Sequence, residues 1–257
     1  MRALLGFVAL ACVALAAGAG GAGGAGAEEA QKERAVRVAG GGAGERPARP
    51  SVPAAEGAAA AQPRPRSLPV SDGATVTAFE WGAGARGAVL AHGAAFDARA
   101  WDALAQRLAG AGLRVLALEL RRDRAGRPRR IEIWRRDVCA GIDALRRDGA
   151  EAVFVVGASL GGRAAADCLT EEGGRAADRV VLLAPAGAAA PERLAGRKLV
   201  VLSRGEPGAP SLRALYERMP EPKELVELEG AAHAQHALRG PGGPALEERL
   251  VRFLAAP

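Results

Sequence analysis

The chain has no asparagine, one tyrosine, two methionines and three histidines among 257 residues. Aromatic residues make up 4% of it, too few for the stacking platforms that grip single-stranded nucleic acid, and no groove-reading motif is present. Its three cysteines (Cys12, Cys139, Cys168) are not in paired spacing, and its histidines (His92, His233, His236) do not form HExxH. The sequence therefore carries no metal or cofactor motif, and none is expected to be needed. Lysine is scarce: apart from Lys32, Lys198 and Lys223, all of the 35 basic residues are arginine. Together with abundant alanine and glycine, this skew points to a GC-rich coding sequence, so arginine in place of lysine carries little functional meaning.

One long stretch lacks charge. After Arg2, residues 3–27 have none, and the apolar run Ala3–Ala17 ends in small residues before Glu28 and Glu29. Residues 1–27 read as a signal peptide, which implies export to a periplasm or to the medium. The alternatives are an uncleaved membrane anchor or a lipid on Cys12. Residues 28–66 are Ala, Gly, Pro and Arg with hardly a large apolar side chain, and read as a disordered linker. The folded domain is then expected over residues 67–257, long enough for a full core.

In that domain short apolar runs alternate with helical spacing. Strands are expected at Thr75–Trp81, Gly87–Ala91, Arg114–Leu120, Val153–Val156, Val180–Ala184, Leu199–Leu202 and Glu224–Leu228. Helices are expected at Trp101–Ala109, Arg135–Arg147, from Arg163 onward, at Ser211–Met219 and at Leu246–Leu254. This alternation predicts an α/β fold, a mostly parallel central sheet with helices on both faces. Cys139 and Cys168 fall in expected helices and read as two buried free thiols, with a disulfide as the alternative in an oxidising compartment.

The most informative stretch is Ala152–Ala166, AVFVVGASLGGRAAA. A buried strand, a Gly157-Ala158-Ser159-Leu160-Gly161 turn and a helix are the layout of a nucleophile elbow. Glycines before and after Ser159 let strand and helix approach closely, and the tight turn lifts the hydroxyl clear of the sheet. A serine hydroxyl needs a base. His233, five residues past the last expected strand, is the candidate, with His236 one helical turn on in reserve. The base needs a carboxylate to hold its tautomer. Glu206, just past Leu199–Leu202, lies between serine and histidine in chain order, and the loop after Val180–Ala184 has no acid. Asp123 and Glu119 are weaker alternatives. Backbone N–H groups of Leu160 and Ala94 are the expected oxyanion donors. His92 is expected to brace that loop rather than transfer protons.

The set of His92-Gly93 with Phe96 nearby, Gly157-Ala158-Ser159-Leu160-Gly161-Gly162, Glu206 and Gly230-Ala231-Ala232-His233 resembles the α/β-hydrolase superfamily over about residues 70–257. The resemblance implies a Ser159–Glu206–His233 triad working through an acyl-enzyme on esters, amides or thioesters. One departure is Glu206, where many relatives have Asp.

About fourteen residues, Pro185–Lys198, separate two strands where many relatives insert a helical lid. No cap domain is expected, and the pocket is expected to be shallow and open, suited to a small or surface-exposed ester. Arg121–Arg136 holds eight arginines against Asp123 and Glu132, a net of +6 equal to that of the whole chain. It could attract anionic substrates or an anionic envelope surface, or be a solvated loop. Two other readings stay open on the same scaffold. One is an acyltransferase, in which an alcohol or amine intercepts the acyl group, and the other is a non-catalytic binding protein.

Overall fold

A computed structural model describes residues 62–172 and 175–256. All of them lie in one contact-dense unit, Ala54–Pro257. The expected signal peptide and most of the expected linker lie outside the described residues.

Eight strands form one sheet: β1 (Arg64–Pro69), β2 (Thr75–Trp81), β3 (Arg86–Ala91), β4 (Leu113–Glu119), β5 (Ala152–Ala158), β6 (Arg179–Leu183), β7 (Arg197–Ser203) and β8 (Lys223–Leu228). Their order is β1-β2-β4-β3-β5-β6-β7-β8. β2 pairs antiparallel with both β1 and β4, and every pairing from β4 through β8 is parallel. The helices are α1 (Asp102–Gly110), α2 (Ile131–Arg147), α3 (Ser159–Thr170), α4 (Ala209–Glu217), α5 (His236–Arg239) and α6 (Gly243–Ala255).

The continuous apolar strands are explained by burial on both faces. Val89, Leu116, Leu118, Val153, Val155, Val180 and Leu182 meet Trp134, Val138, Ile142 and Leu145 of α2, and Ala164 and Ala165 of α3. Their neighbours Ala88, Leu90, Val115, Phe154, Val156 and Val181 meet Leu104 and Leu108 of α1, and Leu246, Leu250 and Phe253 of α6. A period of two thus sends alternate side chains into two cores.

Three expectations are corrected. β1 begins inside the stretch read as linker. Its sequence, RPRSLP, has two prolines and one fully buried side chain, Leu68, so it carries no alternating signal. It survives as an edge strand, where missing N–H donors are tolerated. α5, a single turn, was not expected at all. Cys139 and Cys168 are not free thiols: they form a disulfide with their Cα atoms 5.8 Å apart. Packing α2 against α3 brings together two side chains whose spacing of 29 residues gave no sign of a pair. In the chain-entropy model, closing a loop of that size stabilises by about 3–4 kcal/mol.

Parallel pairing puts the carboxyl ends of β3, β5, β6, β7 and β8 along one rim, where ligands bind in open α/β sheets. At its centre the chain turns from β5 directly into α3. Ser159 sits there with φ +50°, a left-handed conformation that costs a side-chain-bearing residue about 1–3 kcal/mol. A Cβ on Gly157 would lie 2.6 Å from the Gly162 Cα, and one on Gly161 would lie 2.3 Å from the His92 carbonyl oxygen. The neighbours are backbone and cannot move aside. Gly161→Ala is therefore expected to lower stability by about 3 kcal/mol or more in denaturant unfolding.

Candidate active site

The rim gathers residues from four strand ends. Ser159 follows β5, Glu206 lies past β7, His233 lies past β8, and His92–Phe96 follows β3. The His233 Nε2 is 3.0 Å from the Ser159 Oγ, and its Nδ1 is 2.7 Å from the Glu206 Oε2. A carboxylate only accepts, so Nδ1–H donates to Glu206 and Nε2 is left to accept from the Ser159 hydroxyl. Residues 74 and 27 positions from His233 thus meet on its two ring nitrogens.

Glu206 is buried, 4% exposed, and both its oxygens are used. Oε1 accepts from the Ser203 N–H at 2.9 Å while Oε2 faces His233. The side chain folds back over its own turn, so the extra methylene relative to aspartate is absorbed locally. The loop carrying His233 is tied to the loop carrying Glu206 at two points. The Ser203 hydroxyl donates to the Ala232 carbonyl at 2.6 Å, and the Gly205 N–H donates to the Gly230 carbonyl at 2.8 Å.

The alternative residues are occupied elsewhere. Asp123 caps its own exposed turn, accepting from the N–H groups of Ala125 and Arg127 and from the Arg127 side chain. Glu119 accepts from the Ala98 N–H. The His236 ring packs on Phe96, with centroids 4.7 Å apart, and has no hydrogen bond to Ser159.

The loop after β3, where an oxyanion donor is expected, is held at several of its polar groups. His92 is fully buried, and burial holds its pKa below the usual histidine value. Its Nδ1–H donates to the Gly93 carbonyl at 2.8 Å, and its Nε2 accepts from the Leu120 N–H at 3.1 Å. Both nitrogens of this ring are committed to backbone, so it braces the loop and neither is free to exchange a proton with a substrate. The Arg122 guanidinium donates to the carbonyls of Ala94 and Phe96 at 2.8 and 2.5 Å. The Gly93 N–H donates to the Gln235 Oε1 at 2.8 Å. Among the described residues, no group accepts from the N–H of Ala94 or of Leu160. These are the two donors named from the sequence. Leu160 lies in the first turn of α3, where helix N–H groups have no intrahelical partner and the dipole favours negative charge.

Sequence reasoning missed the roles of Arg122 and Gln235, because no local pattern links either one to a loop 28 or 142 residues away. The arginine-rich segment is also more engaged than its composition suggests. Arg121 pairs with Asp72 and Asp137, Arg127 with Asp123, Arg130 with Glu132, Arg135 with Glu171, and Arg136 with Asp72. Asp137 has no exposed surface, and burial pushes its carboxyl up to about 6 despite Arg121.

Beside His233 opens a cavity of about 650 Å³, within the usual range for small-molecule sites. Ala184, Pro185, Ala188, Leu212, Leu215 and Ala231 form its apolar wall. The segment after β6 is short, and α4 supplies Leu212 and Leu215 to the wall of this open cavity. Arg218 at the edge is paired with Glu192 at 2.8 Å, so its charge is compensated there.

No curated protein matches this chain. Among solved structures it is similar to a dienelactone hydrolase from Anabaena variabilis, with TM-score 0.62 and 21% identity over 75% of this chain and 97% of that one. It is also similar to an esterase from Pyrococcus furiosus, with TM-score 0.62 and 13% identity over 75% and 90% of the two chains. A third is a thermophilic esterase from Thermogutta terrifontis with propionate bound, with TM-score 0.61 and 16% identity over 76% and 92%. At these identities the likeness is one of fold. The model of the alpha/beta hydrolase family matches residues 88–256, from β3 to the end of α6. With that match covering most of the chain, and with the sheet order and strand-end loops described above, the protein belongs to the α/β hydrolase family.

Proposed function

We propose that the protein is a serine esterase whose nucleophile, base and acid are Ser159, His233 and Glu206. The observation that carries this reading is the continuous hydrogen-bonded line Ser159 Oγ, His233 Nε2, His233 Nδ1, Glu206 Oε2, at 3.0 and 2.7 Å. The structural neighbours named as esterases support the same class of chemistry.

In this reading His233 takes the hydroxyl proton as the Ser159 Oγ attacks the ester carbonyl carbon. Negative charge builds on the carbonyl oxygen, where the N–H groups of Ala94 and Leu160 are free to receive it. Each such donor is typically worth about 3–4 kcal/mol of barrier. His233 then returns its proton to the leaving alkoxide, and the alcohol departs. Water, deprotonated by His233, attacks the acyl-enzyme in turn, and as the acyl–Oγ bond breaks His233 returns the proton to the Ser159 Oγ and the acid departs. Glu206 holds Nδ1 protonated, so that Nε2 presents its lone pair, and it stabilises the imidazolium.

The apolar cavity beside His233 favours an ester with an apolar group of intermediate size, and its open form gives no tunnel for a long chain. The Cys139–Cys168 disulfide supports the export reading, since structural disulfides persist in oxidising compartments.

A fluorophosphonate probe is expected to label Ser159. Peptide mapping should locate the label there, and both Ser159→Ala and His233→Ala should abolish it. A well-folded protein that takes no label would favour the binding-protein reading. Across p-nitrophenyl esters, kcat/KM is expected to peak between butyrate and octanoate and to be at least about tenfold lower for palmitate. A maximum at acetate or at palmitate would contradict the assignment of the cavity.

A further inference from the structure

Gln235 is two residues past His233, yet its side chain does not serve the base. It is 2% exposed and points under the oxyanion loop, where its Oε1 accepts the Gly93 N–H at 2.8 Å. Gly93 lies against the nucleophile: a Cβ on it would sit 3.3 Å from the Ser159 Cβ and 3.6 Å from the Gln235 Oε1. The next residue is Ala94, whose N–H has no partner among the described residues. Between His233 and Gln235 stands Ala234, buried and held at φ +51°, a conformation uncommon for alanine. That left-handed residue lets the half-exposed imidazole reach Ser159 while the carboxamide two positions on turns inward.

The Gln235 Nε2 is buried and has no acceptor among the described residues. A buried carboxamide with one hydrogen bond made and one donor unmet adds little to stability. An apolar residue of the same shape would remove that unmet donor but leave the buried Gly93 N–H without an acceptor, so the contact to Gly93 is the informative one.

We infer that Gln235 is a positioning residue that locks the oxyanion loop to the base loop, fixing the direction of the Ala94 N–H relative to Ser159 and His233. The inference rests on the esterase reading above. Gln235 touches no reacting atom in it. Its carbonyl oxygen holds the His92–Gly93 peptide through the Gly93 N–H, while the His92 Nδ1–H holds the next peptide, which carries the Ala94 N–H, through the Gly93 carbonyl. Arg122 holds the carbonyls of Ala94 and Phe96. Losing the Gln235 contact leaves the first of these peptides free to turn, so the second, which carries the Ala94 N–H, is held from one end only. The effect falls on the oxyanion-like transition state and not on the cavity beside His233, whose lining does not include Gln235.

The test compares Gln235→Met, which keeps the shape without an acceptor, with Gln235→Asn, which keeps a carboxamide too short to reach Gly93. Both are expected to lower kcat by about thirtyfold with KM within about twofold of the parent. Inhibition by an alkyl trifluoromethyl ketone, which forms an oxyanion on the serine, should weaken by a similar factor. The thermal midpoint of Gln235→Met should fall by no more than about ten degrees, which leaves the protein folded at assay temperature. A folded variant with parental kcat, or one in which KM rises while kcat holds, overturns the inference. So does failure of both variants to fold, which would make the residue structural. Fluorophosphonate labelling of the parent separates the two levels. No label removes the esterase reading and this inference with it, whereas label with unchanged kcat in the variants removes only the role of Gln235.

Discussion

The close approach of α3 to the end of β3 is the constraint on which the site depends. Gly161 packs its Cα against the carbonyls of Ala91 and His92, where a single added methyl would overlap backbone. That contact forces the chain to turn from β5 into α3 within one residue, and Ser159 takes the strain of the turn. It also fixes the start of the loop after β3, because His92 is both the residue touched by Gly161 and the residue whose ring holds Gly93. One van der Waals contact therefore sets the distance between the hydroxyl and the loop that would receive the oxyanion.

Strain marks this rim more widely. Among the described residues, the non-glycine residues with positive φ are Ser159, Ala184 and Ala234. Ser159 is the candidate nucleophile, Ala184 begins the loop that lines the apolar cavity, and Ala234 follows His233. Strained backbone persists where the surroundings over-determine it. Here the surroundings are the two apolar cores above and below the sheet, together with hydrogen bonds between neighbouring loops. The Ala186 N–H donates to the Ser159 carbonyl, and the Ser203 hydroxyl to the Ala232 carbonyl. The rigid sheet supplies the position, and the short side chains of the rim supply the room.

What could be read in the sequence was whatever depends on neighbours along the chain. The β5 run, the glycines around Ser159 and the alternation of apolar strands with amphipathic helices are local, and they placed the elbow and the parallel core. Glu206 and His233 could be named because each follows a strand and few acids or histidines compete for the role. The unread features depend on contacts between distant segments. β1 lacks a periodic signal because it is an edge strand with prolines. The Cys139–Cys168 bond needs the packing of α2 on α3, and the width of the cavity needs the placement of α4. Gln235 gives no sign in sequence of the Gly93 amide it holds.

The most direct test of the account is to catch the covalent intermediate. The protein turning over p-nitrophenyl hexanoate would be quenched in acid within milliseconds, digested and weighed. A hexanoyl group is expected on the peptide containing Ser159, absent in the Ser159→Ala protein. Full turnover with no acyl adduct, or an adduct on another residue, would contradict it.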